Sequence, residues 1–354
     1  MSTPHARRGD SLSSAISLGE KLFASAGERR FVEDLEEGLR AVEAGLLSEM
    51  TFADSLADVT SRYLLDAGGK RVRPTLTLIT AQLGGGNTPE VIIAAQAMEL
   101  THLASLYHDD VMDEAQLRRG VPSAQSVWGN SVAILTGDLL FARAGSLVAG
   151  LGANAIGLQA ETFERLCLGQ LHETIGPRAG EDPIDHYLQV LADKTGSLIA
   201  AAAQAGVVYS GAAEEFRQPM LTFGEKIGVA FQLIDDVIDL SAEIDETGKA
   251  PGADLRSGVA TLPLLYLRRL ATTDADAAGL LARIDSDVDT AHLRGQAALT
   301  EAIGELREHE VTRATLADAH RWAHQAVEAL EPLPDGSVKR ALTRFADTIV
   351  ARSR

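Results

Sequence analysis

Cysteine is almost absent from this sequence: one residue, Cys167, in 354. A disulfide needs two, so no intrachain staple can form and a small secreted scaffold is excluded. The expected state of Cys167 is that of a small buried hydrophobe. Aromatic residues are also scarce, at 5%, while hydrophobic residues reach 45% and are largely Ala, Leu, Val and Ile. A sizeable core can be built from these, and the mix suits helices better than sheets. Apolar runs are short where targeting would need them. The opening MSTPHARRGDSLSSAISLGEKLF has no continuous apolar stretch, and Arg7-Arg8 leads into Gly, Asp and serines, which excludes a twin-arginine reading. Residues 198–213 (LIAAAAQAGVVYSGAA) are apolar but too short and Ala-rich to span a membrane. The expected location is cytoplasmic, without stable membrane insertion. Basic charge is the last deficit: 32 Lys and Arg stand against 50 Asp and Glu, a formal net charge of −18. So acidic a surface argues against nucleic acid, which needs clustered basic residues. A polyanionic small molecule could bind only through metal ions or a local basic cluster.

Residues 1–28 are polar and weakly periodic, read as a mobile tail, and residues 29–354 as one domain. Helix periodicity begins with FVEDLEEGLRAVEAGLL within 30–66. A Gly-Gly break at 68–69 and KRVRP follow, then an apolar helix starting near Pro74 and ended by GGGN at 84–87. From Glu90 to Glu114 an apolar stripe recurs every three or four residues, through Ile93, Ala97, Leu100, Ala104, Tyr107 and Val111. Further helices are predicted at about 123–150, 155–175, 183–210, 213–240, 260–271 and 290–308, with two more beyond. PLPDG at 332–336 is the turn before the last of them. No β-alternation bounded by hairpin turns is evident. The expected fold is all-α, a large single-domain helical bundle.

Two acid clusters of the form D-D-x-x-D stand out, Asp109, Asp110 and Asp113, then Asp235, Asp236 and Asp239. Positions three and four apart share a helical face. Asp109 and Asp113 line up with Ser105, His102 and Met98, and Asp110 points aside. Gln232, Asp235 and Asp239 share a second face, with Asp236 beside them. Each cluster closes a long apolar helix, where the partial negative charge of the helix terminus disfavours carboxylates. Neighbouring acids also raise one another's pKa. A solvated acidic face would explain one such cluster better than two embedded in apolar stripes. Bridging divalent cations remove the conflict, and hard oxygen ligands point to Mg²⁺ or Mn²⁺. Mg²⁺ takes few carboxylates and completes its shell with water and phosphate oxygens, so the missing ligand is a phosphate or diphosphate.

Basic residues supply the complement. Arg118 and Arg119 follow the first cluster, and Lys70, Arg71 and Arg73 follow the Gly-Gly. Lys194-Thr195 interrupts an Ala/Leu-rich helix, and Lys249 follows a glycine after the second cluster. They read as two anion sites, one bridged by metal and one held directly. Arg71 is expected to be solvated, whereas Lys194 within an apolar stretch is not a surface residue, since unpaired buried lysine is rare.

With these motifs assembled, GGKRVRP, DDVMDEAQLRRG, LADKTGSLI, FQLIDDVID and GKAPGADLRSGVATLP resemble, in order and spacing, the trans-isoprenyl diphosphate synthases over roughly residues 35–352. The resemblance implies helices around a central cavity, a homodimer, and extension of an allylic diphosphate by isopentenyl diphosphate. It implies three Mg²⁺ held by Asp109, Asp113 and Asp235, with Asp110, Asp236 and Asp239 completing the metal motifs. Arg118, Lys194 and Lys249 would hold the allylic diphosphate, with Thr195 and Gln232 as hydrogen-bond donors or neighbours of the carbocation. Gly69, Lys70, Arg73, His102 and Arg119 match the residues that hold isopentenyl diphosphate. No general base stands out; released pyrophosphate is the family's candidate.

Chain length would be set by Ala104 and Ser105, roughly 6–7.5 Å up the helix from Asp109 at a rise of about 1.5 Å per residue. Both are small and leave the cavity open there, which favours a medium- or long-chain product over a ten- to twenty-carbon one. One departure concerns Gly258-Val259-Ala260-Thr261, where the family commonly has Lys at the second position. A class I terpene cyclase would need only one D-D-x-x-D and no isopentenyl diphosphate site. A non-catalytic regulatory subunit would usually have lost one of the clusters.

Overall fold

The computed structural model describes residues 28–241, 252–256, 258–294 and 297–352. Residues 1–27 of the expected tail and Lys249 lie outside the described residues. Glu28 lies within them: it is 3% exposed and ion-paired with Arg340 and Arg344.

The chain begins with α1 (Arg29–Glu49), α2 (Ser55–Asp66), α3 (Val72–Ala81) and α4 (Pro89–Met112). Local chemistry sets these starts. The Asp54 carboxylate caps α2 by accepting from the N–H groups of Leu56 and Ala57, and Thr88 caps α4 ahead of Pro89. The stretch expected as one helix over 123–150 is two, α5 (Ala124–Trp128) and α6 (Asn130–Gly150), because Gly129 between them has φ +84°. α7 (Ala153–Ile175) and α8 (Pro183–Leu191) follow, then a π-helical turn Ala192–Gly196 that runs into α9 (Ser197–Tyr209). After α10 (Arg217–Asp239) come α11 (Ala253–Arg256) and α12 (Leu262–Leu270). The helix expected from 290 is the end of α13 (Ala275–Arg294), succeeded by α14 (Ala297–Glu308), α15 (Glu310–Glu328) and α16 (Ser337–Ala351). A small hairpin was not foreseen: β1 (Leu117–Arg118) pairs antiparallel with β2 (Val121–Pro122). The fold is all-α in every other described element.

The residues form two compact units. The first takes the chain up to Glu164, with Ser197–Gly224 and Ala329–Phe345. Its centre is α4, buried on all sides, as a helix apolar around its circumference must be. α1, α3, α6 and α9 pack against it. α9 and α3 cross closely, since a Cβ added at Gly206 would lie 2.0 Å from Thr80 Oγ1 and 2.2 Å from the Thr77 carbonyl oxygen. Thr77 Oγ1 donates to the Ala202 carbonyl at 2.9 Å across the same crossing.

The second unit comprises Arg165–Gly196, Glu225–Glu328 and Ala346–Arg354. Leu233 and Ile234 of α10 pack with Ile184 and Leu191 of α8 and with Leu262 and Leu265 of α12. A neighbouring cluster joins Leu267 of α12 to Leu280 of α13 and Ile303 of α14. Cys167 corrects its expectation: it is exposed on α7. Apolar residues are also exposed there and on α6: Ile134 and Leu135, then Ile156, Leu168, Leu171 and Ile175. Among the described residues, α6 is the one helix long and apolar enough by composition to cross a membrane.

Candidate functional site

In the first unit, α4 ends among its acids. Asp109 and Asp110 occupy its last turn and Asp113 is the cap, its N–H donating to the Asp109 carbonyl at 2.8 Å. Asp109 is half-buried and Asp113 exposed, while Asp110 is fully buried. Arg118 Nε donates to Asp110 Oδ1 at 2.7 Å. The middle acid therefore fastens the hairpin to the helix, and the outer two are less buried.

The hairpin turn explains how the arginines are presented. Arg119 and Gly120 are its two central residues, with φ +54° and +75°, the left-handed pair that a two-residue turn of this hand needs. Arginine pays conformational strain there, offset by its contacts: Nη1 donates to the Leu64 carbonyl at 2.6 Å and to that of Gly68. Gly69 must be glycine, since its φ is +148° and a Cβ would lie 2.4 Å from Arg71 Nη1 and 3.0 Å from the Arg119 guanidinium carbon.

Arg71 is not solvated, contrary to expectation. It is 2% exposed, at φ +48°, and ion-paired with Glu43 and Glu99. Lys70 beside it is exposed. Arg73 Nε is buried without a hydrogen-bond partner among the described residues. Burial pulls the guanidiniums of Arg73 and Arg119 down to about 10 against the counter-pull of Glu99. Burial, then Arg73, Arg119, Arg118 and Arg71, holds His102 well below the usual imidazole range, so its ring is neutral. Ala104 and Ser105 are both buried, and Ser105 Oγ donates to the His102 carbonyl at 2.9 Å. Bulk near this level comes from α6 and α7, where Phe141 lies 5.5 Å from the His108 ring and 4.5 Å from Phe163, centroid to centroid.

The second unit repeats the pattern at the end of α10. Asp236 is 1% exposed and accepts from Tyr187 Oη at 2.6 Å. Burial pushes its carboxyl up to about 8. Asp235 and Asp239 are half-buried. Asp235 Oδ1 lies 3.1 Å from Arg352 Nη2, whose guanidinium covers the Phe231 ring at 4.9 Å. Asp239 Oδ2 accepts from the Asp254 N–H at 3.1 Å, and Gln232 is half-buried on the same helix.

Lys194 and Thr195 lie in the π-helical turn, a local irregularity often found at functional positions. Lys194 Nζ is ion-paired with Glu173. Two devices fix the turn. Arg165 Nε donates to Asp193 at 3.0 Å while its Nη1 holds Glu225. A Cβ at Gly169 would come within 2.6 Å of the Lys194 backbone nitrogen. Val259, the departure from the usual lysine, is 39% exposed.

Among the described residues no group of three or more His, Cys, Asp or Glu side chains converges on one point. The outer acids at each helix end are instead oxygen-only donors, a set that fits Mg²⁺ completing its shell with water and phosphate oxygens. Beside one pair stand Arg73, with its buried donor unsatisfied, and the exposed Lys70, both suited to an anion.

Residues 55–297 match the model of a protein family described as polyprenyl synthetase. The chain belongs to that family. It is 42% identical over 338 residues to the nonaprenyl diphosphate synthase of Mycobacterium tuberculosis, covering 95% of this chain and 96% of that one. A decaprenyl diphosphate synthase structure from Rhodobacter capsulatus superposes with TM-score 0.80 at 32% identity, covering 92% and 99% of the two chains. A Caulobacter crescentus polyprenyl synthase complexed with calcium and isoprenyl diphosphate gives TM-score 0.80 at 30% identity, covering 98% and 99%. Membership makes the chain a prenyltransferase of the all-α isoprenoid synthase fold.

Within the family's frame, sequence reasoning missed Glu173, Tyr187 and the Glu43–Arg71–Glu99 triad. One signal was available for Glu173. A lysine inside an apolar helix requires a counter-charge, and Glu173 closes GQLHE on the preceding long helix.

Proposed function

We propose that the protein extends an allylic diphosphate with isopentenyl diphosphate to give a medium- or long-chain all-trans polyprenyl diphosphate. The observation that carries this is the repeated geometry of the acid motifs. At both helix ends the outer acids are less buried than the middle one, which rests on a neighbour, Arg118 or Tyr187. Asp109, Asp113 and Asp235, with Asp239, would hold Mg²⁺, which supplies Lewis-acid neutralisation of the departing diphosphate. Arg118, Lys194 and Lys249 bind that diphosphate, and Thr195 and Gln232 donate to it or lie beside the cation. Gly69, Lys70, Arg73, His102 and Arg119 bind isopentenyl diphosphate. The allylic carbon–oxygen bond breaks first, its electron pair leaving with pyrophosphate; the double bond of isopentenyl diphosphate then attacks the resulting allylic cation, and the surplus proton leaves with pyrophosphate. The apolar cavity that the family resemblance implies would protect the cation from water.

The chain-length reading is supported by small Ala104 and Ser105 and by relatives named for nonaprenyl and decaprenyl products. The exposed apolar residues of α6 and α7 suit a second copy of the chain, and a lone cysteine suits the reducing cytoplasm. The test is incubation with labelled isopentenyl diphosphate, Mg²⁺ and primers of increasing length, with the products sized by chromatography. Products well beyond twenty carbons are expected, none with EDTA, and none above trace with Asp109→Ala or Asp235→Ala. Full turnover in either variant would sink the reading. A product ending at fifteen carbons would sink the chain-length assignment and place the floor near Phe141.

A further inference from the structure

One buried carboxylate in the first unit has no part in the reaction as described. Glu99, in the middle of α4, is 2% exposed, and its Oε1 lies 3.3 Å from Arg71 Nη1. Glu43 of α1 holds Nε of the same guanidinium. The Gly68 carbonyl accepts from Nη1 at 3.3 Å and that of Leu65 from Nη2 at 3.5 Å. Each nitrogen of Arg71 is thus engaged by protein, so it is a tie between backbone and buried acids rather than a group free to bind an anion. The Gly68 carbonyl also accepts from Arg119. One peptide group therefore joins both arginines, immediately before Gly69 and Lys70.

This region concentrates like charge. Arg71, Arg73 and Arg119 all act on His102, and in a low-dielectric interior such groups repel strongly. A bound diphosphate would relieve the repulsion only after binding. Glu99 supplies counter-charge beforehand: after burial, it is the foremost influence on both Arg73 and Arg119, and it favours their charged forms.

We propose that Glu99 is a positioning residue for the isopentenyl diphosphate site, fixing Arg71 and through it the Gly68–Lys70 turn, so that Lys70, Arg73 and Arg119 form a preformed anion cradle. The inference rests on the assignment above that these residues hold isopentenyl diphosphate. It makes a prediction whose sign is diagnostic. A carboxylate that merely stands near an anion site repels the anion, so neutralising it tightens binding. A carboxylate that arranges the cations does the opposite, because the cradle loosens without it.

The experiment is calorimetric titration of metal-free protein in EDTA with isopentenyl diphosphate and, separately, with inorganic pyrophosphate. Glu99→Gln is expected to weaken isopentenyl diphosphate binding by about tenfold or more. In steady state KM for isopentenyl diphosphate should rise by a similar factor, with kcat and the allylic KM changed far less. Urea melts establish that the variant is folded; should it not be, Glu43→Gln at the partly exposed side of the same triad is expected to weaken binding in the same way. Unchanged or tighter binding in a folded variant overturns the proposal while leaving the site assignment standing. Failure of the wild-type protein to bind either compound overturns the site assignment and the proposal with it.

Discussion

Asp236 gives the protein an unusual dependence on pH. Its side chain is 1% exposed, and burial raises its carboxyl from the ordinary 3.8 to about 8. Between those values the folded protein keeps the proton and the unfolded chain has lost it. Protonation then favours folding, and stability falls as pH rises through that window, at up to about 1.4 kcal/mol per pH unit. A salt-bridged aspartate behaves in the reverse sense. The ceiling across the window is roughly 6 kcal/mol, a large share of an ordinary domain's stability. Above about 8 the slope from this group vanishes. Asp236→Asn keeps the shape and the oxygen that faces Tyr187 but cannot titrate. Urea unfolding of metal-free wild type and variant from pH 5 to 8.5 isolates the effect, because the many other acids are common to both. The variant should gain on the wild type by about 1 kcal/mol per pH unit up to about pH 8. Parallel curves would refute the claim that burial keeps this carboxyl protonated.

Two further outcomes follow from packing. Gly206→Ala forces a Cβ to within 2.0 Å of Thr80 Oγ1, so the urea midpoint should fall by the equivalent of about 1–3 kcal/mol with the slope unchanged. Ala104→Phe combined with Ser105→Phe fills the helix face one turn above Asp109; the main product should shorten by several isoprene units, read by chromatography, while the rate of the first condensation stays within about threefold.

Much of this was legible from residue spacing alone. The stripe from Ile93 to Val111 predicts α4 to within two residues at either end, because a helix buried on all sides leaves no polar face to confuse its limits. The placing of both acid motifs at helix ends was equally legible. What spacing cannot reveal is which member of a run turns inward. Lys70, Arg71 and Arg73 look alike in sequence, yet Arg71 is the one locked between two acids because Glu43 and Glu99, each 28 positions away, take its guanidinium and its backbone turns left-handed. The same applies to Asp110 and Asp236, whose partners come from the hairpin and from α8. The hairpin itself is only two pairs long, too short for alternation to show. Gly129 is a single residue whose positive φ splits what periodicity joins.

Cys167 acquires a practical meaning from where it lies. It is exposed on α7 next to Leu168 and one turn from Leu171, both exposed. With one cysteine in 354 residues, a maleimide probe has a single address, and that address borders an apolar helix face. Coverage of the face by another molecule would slow labelling, and dilution would restore it. The scarcest reactive side chain in the sequence thus becomes a clock for association, readable by mass spectrometry without any substitution.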